Sequence, residues 1–304
     1  MDAESVDVQL IDAFSDRAFA GNPAGVVLDA AELDEAQMQQ MAREINASET
    51  VFLVGRGDDD WRARYFTPTQ EVDFCGHATL ALGAALAWAG RVEPAEPPAR
   101  IALVVPAGDI ALDLRPHPAT GVEVTMTQAP PRFADFGYRI ELLAGALGME
   151  SYQIPPSWPL GLAYTGLWAL VVPVVSREAI DAARPDFAAL ADLNNKLGAA
   201  STHLYTHAGP NKLYCRDFSP AVGVAEDPFT GSAMGATAAL LVREDAVDTS
   251  PPTTRLEAEQ GQALGRPGQA RLEVDHGDAG PISVRLTGTA ALSLEGRLLV
   301  PPAR

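Results

Sequence analysis

Residues 64–86, RYFTPTQEVDFCGHATLALGAAL, and residues 216–241, RDFSPAVGVAEDPFTGSAMGATAALL, are two copies of one pattern. Each runs aromatic, hydroxyl, proline, an acidic turn, then Phe, a small nucleophilic side chain, Gly, a polar residue and an Ala-rich run. The matched pairs are Phe66 with Phe218, Thr67 with Ser219, Pro68 with Pro220, Phe74 with Phe229, Cys75 with Thr230, Gly76 with Gly231 and His77 with Ser232. A site written twice in one chain predicts two similar halves.

A glycine turn that opens a helix has a chemical consequence. Gly76 and Gly231 let the backbone approach a ligand, and the first helical turn after each leaves N–H donors without intrahelical partners. Those donors, together with the helix dipole, favour an anion. If a pseudo-twofold axis relates the halves, both helix N-termini converge on one cleft suited to a small carboxylate. The alternative is packing alone, since Ala and Gly at helical spacing also let helices lie close to their neighbours.

Composition narrows the class. The length of 304 residues predicts two medium domains, and 47% hydrophobic with 20% charged residues is a folding composition rather than a disordered one. A formal charge of -18 with no basic stripe argues against nucleic acid and anionic lipid as partners. An anionic substrate must therefore be held by local donors. No run approaches the roughly 18 apolar residues of a membrane span, and the acidic start MDAESVDVQLIDAF lacks a signal-peptide pattern, so the expected location is cytoplasmic. Cys75 and Cys215 are the only cysteines and are expected to be free thiols.

Along the chain, strands are expected at 6–14, within 18–28, at 46–54 and at 61–66. A helix is expected over 33–45 with Asp34 as N-cap. The turn GRGDDD (55–60) separates the third strand from the fourth. A helix at 77–90 and strands at 101–105, 109–115 and 121–127 complete the first half, and QAPPRFADFG reads as a linker. The second half is read as helices at 139–147, 186–196 and 231–243 and strands at 168–175, 202–206, 212–217, 270–274, 281–287 and 290–300. Strands outnumber helices, which makes the class α+β. The domain boundaries expected are 1–128, joined by the last strand at about 290–302, and 129–289.

Common catalytic signatures do not fit. GSAMG lacks the residue between Gly and Ser of a nucleophile elbow. His203 and His207 have i, i+4 spacing, but they lie in a strand-like stretch with no acidic partner inside the motif. Gly55 and Gly57 lack the third glycine of a dinucleotide fingerprint, and neither lysine follows a Walker loop. No metal and no bound cofactor is expected. What remains is a polar set gathered at turns: Asn22, Ser48, Glu49, Cys75, His77, Asp227, Thr230 and Ser232.

Those residues lie in blocks that resemble a known family. DAFSDRAFAGNPAGVVL, MAREINASETVFL, RYFTPTQEVDFCGHATLA, TGLWALVVPV, VAEDPFTGSAMG and VRLTGTAALSLEGRL are similar, in order, to those of the phenazine biosynthesis PhzF-like proteins. That family lies within the diaminopimelate epimerase and proline racemase superfamily. The resemblance implies two pseudo-symmetric domains, each a barrel-like, mostly antiparallel sheet around a central helix, an active site between them and a homodimer. It also implies a cofactor-independent isomerase. In the family's best understood activity, a glutamate moves a proton between carbons of trans-2,3-dihydro-3-hydroxyanthranilate. That glutamate falls on Glu49, and the other catalytic positions fall on His77 and Asp227. Asn22, Ser48, Gly76, Gly231 and Ser232 are the candidate substrate-binding residues, with Cys75 and Thr230 as further candidates.

The chemistry follows from the side chains. A carboxylate that takes a carbon-bound proton and returns it works best with its pKa raised toward neutrality, which partial burial achieves. Glu49 directly precedes the apolar run Thr50 to Val54, whereas the bland alternative is a water-exposed strand-start glutamate. His77 and Asp227 can hydrogen-bond the substrate or relay protons, or serve only as a turn histidine and a cap aspartate. The related epimerases use two facing cysteines, but here the second position is Thr230, whose hydroxyl is too weak an acid or base to replace a thiolate. Cys75 is then either a reactive group or a small core residue. Three readings stay open: a PhzF-like isomerase, an amino-acid epimerase or racemase, and a non-catalytic carboxylate-binding protein.

Overall fold

The computed structural model describes residues 4–55 and 61–302; Gly57 and most of the charged turn at 55–60 lie outside the described residues. By its internal contacts the chain divides into two units, residues 1–126 with 287–304, and residues 127–286.

In the first unit, β1 (Ser5–Ala13), β2 (Asn22–Val27), β3 (Glu49–Leu53), β4 (Ala63–Phe66) and β5 (Glu71–Val72) lie side by side in chain order. The C-terminal β18 (Ala290–Leu299) flanks β1. Neighbours are antiparallel except β2 and β3, which run parallel because α1 (Glu35–Ile45) crosses between them. Asp34 caps α1 as expected, in a reciprocal capping box with Gln37. Met38, Met41 and Ala42 of α1 seal one face of the sheet against Val8, Val27, Phe52 and Phe66. A second antiparallel set, β6 (Ala99–Val105), β7 (Gly108–His117) and β8 (Gly121–Thr127), joins the first through a parallel bridge between Arg62 and Val104.

Inside these strands lies α2 (Gly76–Trp88), in which every residue from His77 to Leu86 is buried. A helix apolar on all sides has no face for water. β1, β2, β3, β7 and β18 all pack on it.

The second unit repeats this plan. β9 (Arg132–Ala134), β10 (Gly161–Tyr164), β11 (Trp168–Pro173), β12 (Ser201–Gly209) and β13 (Lys212–Ser219) follow one another, and β14 (Val224–Asp227) pairs with β13. β15 (Thr253–Gln260), β16 (Gly268–Gly277) and β17 (Gly280–Gly288) continue beyond β13. Parallel pairs recur at the same two places, β11 with β12 and β13 with β15. Here α4 (Arg177–Ala182) and α5 (Phe187–Leu197) make the crossover. With α3 (Ile140–Ala146) they cover an apolar layer that includes Leu143, Leu170, Val172, Ile180, Leu190 and Leu204. The enclosed helix is α6 (Gly231–Arg243), packed by β10, β11, β12, β15 and β16. The architecture is α+β, as the strand-rich pattern predicts.

One expected linker is not one. QAPPRFADFG contains β9, paired antiparallel with β10 through Leu162–Ala134 and Tyr164–Arg132. Three residues are too few to display an alternating pattern, so this strand exists only through its partner. The short β5, β10 and β14, together with α4, escaped sequence reading for the same reason. β15 is longer, but its apolar face is filled by Thr254, Leu256, Ala258 and Gln260, too mixed a set to read as a hydrophobic strand.

Both glycine turns are tied down by the same clamp. Arg64 donates to both carboxylate oxygens of Glu71 at 2.6 and 2.7 Å, while its guanidinium lies 5.2 Å from the centre of the Phe66 ring. Arg216 donates to both oxygens of Glu226 at 2.8 and 2.9 Å and lies 4.8 Å from that of Phe218. Bidentate pairing fixes direction as well as distance, so each clamp sets the hairpin that delivers the chain into the helix.

At Gly235 an added Cβ would fall 1.7 Å from Gln128 Oε1 and 2.7 Å from its Cδ, and Gln128 Nε2 donates to Gly231 O at 2.8 Å. Gly235→Ala is expected to displace the buried end of Gln128, break its hydrogen bond to Gly231 at the start of α6 and cost about 1–3 kcal/mol. A lowered midpoint in urea denaturation checks this, and an unchanged midpoint would contradict the packing.

Candidate functional site

Glu49 is the first residue of β3 and stands opposite Ala24 of β2. Residues in register on parallel strands share a face, and alternate residues of a strand return to it. Asn22, Ala24, Glu49 and Val51 therefore all face α2, with Glu49 at the end where α2 begins. Asn22 is fully buried at the start of β2.

Cys75 is the N-cap residue of α2, in extended conformation, and His77 is the second residue of the helix. The extended step followed by the helical turn brings both side chains to the same side. Cys75 Sγ lies 3.2 Å from His77 Nδ1, and His77 Nε2 lies 3.4 Å from Glu49 Oε2 and 3.3 Å from Ser48 Oγ. Cys75 and His77 are buried, whereas the Glu49 side chain keeps 22% of its surface open. The imidazole thus bridges a thiol and a partly accessible carboxylate. Which nitrogen carries its proton is set by those neighbours.

The side chain of the N-cap residue Cys75 makes no capping hydrogen bond to the first turn of α2. At Gly76 an added Cβ would meet only Met126 Cε at 3.4 Å and Phe74 Cε1 at 4.0 Å, which are ordinary contacts. The fold does not require glycine there.

In the second unit the corresponding positions carry different chemistry. Ser201 opens β12 opposite Ala169, the place that Glu49 holds opposite Ala24. Thr230 is the N-cap residue of α6, and its hydroxyl donates to Asp227 Oδ2 at 2.5 Å. Gln260, buried at the end of β15, donates to the Asp227 carbonyl at 2.7 Å and accepts from the Thr230 amide at 3.3 Å. Thr165 donates to the Ser232 carbonyl at 2.9 Å. Asp227, Thr230, Gly231 and Ser232 are thereby gathered at one turn, held by Gln128, Thr165 and Gln260.

Those three holding residues were not singled out in the sequence. Nothing in their local pattern marks them, because each acts on a turn 30 or more positions away. His203, set aside as a metal ligand for want of a nearby acid, has one across the strands. Its Nδ1 lies 2.9 Å from Asp217 Oδ2, both fully buried, and Ser219 Oγ donates to Asp217 Oδ1 at 2.8 Å. His207 instead makes a T-shaped ring contact with Trp158, with ring centres 5.0 Å apart.

The chain is similar to known proteins over most of its length. A family model described as phenazine biosynthesis-like protein matches residues 11–296. An uncharacterized isomerase of Deinococcus radiodurans is 41% identical over 280 residues, covering 91% of this chain and 89% of that protein. The trans-2,3-dihydro-3-hydroxyanthranilate isomerase of Pseudomonas aeruginosa is 32% identical over 289 residues, covering 95% and 97%. A crystal structure of a PhzF-family phenazine biosynthesis protein from Bacillus anthracis superposes with a TM-score of 0.87 at 30% identity, covering 98% of this chain and all of that one. A hydroxyproline epimerase from Agrobacterium vitis shares the fold, with a TM-score of 0.66 at 14% identity, covering 98% and 92%. Among the described residues no helix is long and apolar enough to cross a membrane.

Burial pushes the Cys215 thiol well up from its ordinary range, with Asp217 and Glu259 adding to the effect, so it stays protonated and enclosed. Cys75 lies beside an imidazole at the edge of a group that reaches solvent. Iodoacetamide on the native protein is expected to modify Cys75 before Cys215, as read by peptide mass spectrometry. Equal labelling of both would contradict this arrangement.

Proposed function

This chain belongs to the phenazine biosynthesis-like protein family, and on that footing we propose that it is a cofactor-independent isomerase acting on a small cyclic or amino-acid carboxylate, with Glu49 as general acid/base. The observation that carries the reading is the Glu49–His77 contact of 3.4 Å at the start of α2. Glu49 takes a proton from a substrate carbon and becomes the neutral acid. The electron pair left behind shifts through the adjacent π system, and Glu49 returns the proton to a second carbon. No atom is gained or lost.

His77 holds the Glu49 carboxylate and is in turn fixed by Cys75 and Ser48, which supports a single orientation of the base. The first-turn amides of α2, beginning at Gly76, are suited to the substrate carboxylate, where the helix dipole adds to the attraction. Asp227, Gly231 and Ser232 are assigned to the same reaction as binding and proton-relay groups, an assignment that rests on the family resemblance and, for Gly231 and Ser232, on the repeated motif. The Pseudomonas aeruginosa relative's name supports a cyclic amino-acid carboxylate as the substrate class. A second reading, epimerisation, draws on the thiol of Cys75 beside His77. Thr230 at the matching position already donates its hydroxyl to Asp227 and is poorly suited to be the opposing base.

Two measurements test the proposal. A panel of cyclic and amino-acid carboxylates, including dihydrohydroxyanthranilate, is followed by NMR in D₂O. Deuterium is expected to enter one carbon with the wild type and to slow by ~10²-fold or more in Glu49→Gln, the scale of general acid–base catalysis. Exchange that survives in Glu49→Gln removes Glu49 as the base, and inversion at the exchanging carbon without double-bond movement selects epimerisation. Gly76→Ala is expected to leave thermal stability unchanged or slightly raised while lowering kcat/KM, because only a ligand needs the space over that turn. Unaltered kinetics would remove the carboxylate from this helix end.

A further inference from the structure

The six-stranded order of the first unit ends on β18 at one side and on β5 at the other. β5 has two residues and offers almost no ladder. β18 has ten, and among the described residues it pairs with β1 alone. A long free edge is a row of unpaired N–H and C=O groups that accepts another strand, and proteins usually blunt it by shortness, proline or charge. β18 contains no proline, and its side chains Leu294 and Leu299 leave 55% and 63% of their surface open to water.

The sequence around Gly296 selects the strand that fits. Glu295 and Arg297 flank this glycine, and both are exposed. In an antiparallel pair of two β18 strands with a twofold axis at Gly296, each Glu295 stands opposite the other copy's Arg297. Opposite charges directly across a ladder attract, and like charges repel. An axis at 295 or at 297 sets like charges against each other, and an axis half a step away leaves both unmatched. Arg297 now lies 3.6 Å from Asp7, but those side chains are 72% and 83% exposed, so the contact is screened by water and holds Arg297 weakly.

The same register joins the apolar residues. Residues directly opposed on neighbouring strands share a face, so each Leu294 lies opposite the other copy's Leu298. Leu298 already packs against the apolar layer of Val8, Met38, Met41 and Phe52 beneath α1. Pairing at Gly296 therefore carries that layer across the axis and covers both copies of Leu294.

We propose that β18 is the contact surface for a second copy of this chain, the two strands pairing antiparallel about Gly296 in a twofold dimer. Such a contact is self-complementary and closes on itself, which removes the free edge from both copies. The proposal is independent of the isomerase reading.

Sedimentation of the full-length protein in the micromolar range is expected to give a species of twice the 32.1 kDa chain mass. Glu295→Arg and Arg297→Glu each set like charges across the axis and are expected to raise the dimer dissociation constant tenfold or more. The double variant restores opposite charges with the signs exchanged and is expected to recover most of the affinity. At Gly296 an added Cβ meets nothing within 4 Å. Gly296→Cys sets two thiols across the axis with Cα atoms about 4.5–5.5 Å apart, within reach of a disulfide. Diamide is expected to yield a covalent dimer of this variant on a non-reducing gel and none of the wild type, whose two cysteines are buried. Circular dichroism checks that each variant is folded. A monomeric wild type overturns the proposal. So does a dimer that survives both single charge reversals undiminished, or one that the double variant weakens as much as the single ones do, because the contact then lies on another face.

Discussion

The helices Gly76–Trp88 and Gly231–Arg243 are apolar almost all the way round, and the rest of each unit is arranged to keep them from water. A helix with one apolar stripe can lie on a sheet, but one without a polar face must be enclosed. That requirement explains why each unit spreads its strands over several sides of one helix, with a helical crossover between parallel neighbours, β2 and β3 in the first and β11 and β12 in the second. It also explains where polar groups gather. A buried helix still has unpaired amides at its first turn, and polar residues must gather there or the burial fails.

The two units answer that need with different groups on the same frame. The bidentate Arg–Glu clamp over a Phe ring, the proline after it, the second Phe and the glycine recur in both. Around the first helix the neighbours are a carboxylate, an imidazole and a thiol. Around the second they are a hydroxyl held by Asp227, a buried glutamine and another hydroxyl. The two units thus share what the helix and its hairpin need mechanically and differ in the polar groups at the helix start. Inside the second unit, Val51 and Tyr65 of the first are replaced by the buried His203–Asp217 pair, a polar substitution that stays internally satisfied at Nδ1 by its cross-strand acid.

Much of the frame was legible because it is written locally. The α1 cap at Asp34, the alternating strands and the two Ala-rich helices are consequences of residues a few positions apart. β9 and β14 were not legible, since strands this short exist through the partner they pair with rather than through any periodicity of their own. Gln128, Thr165 and Gln260 were missed for a related reason: a buried amide or hydroxyl looks like any other polar residue until the turn it holds is brought to it.

The longer strands and helices, the twofold repeat and the identity of the candidate groups Glu49, Cys75, His77, Asp227, Thr230 and Ser232 were determined by the sequence alone, because turn chemistry and hydrophobic spacing act between near neighbours. Tertiary structure decided that Glu49, 26 positions before Cys75, meets the same imidazole as that thiol. It also decided that the C-terminal strand flanks β1 in the first unit, while β9 takes that place beside β10 in the second. Contacts of that range are set by which strands enclose a buried helix, and no local pattern encodes them.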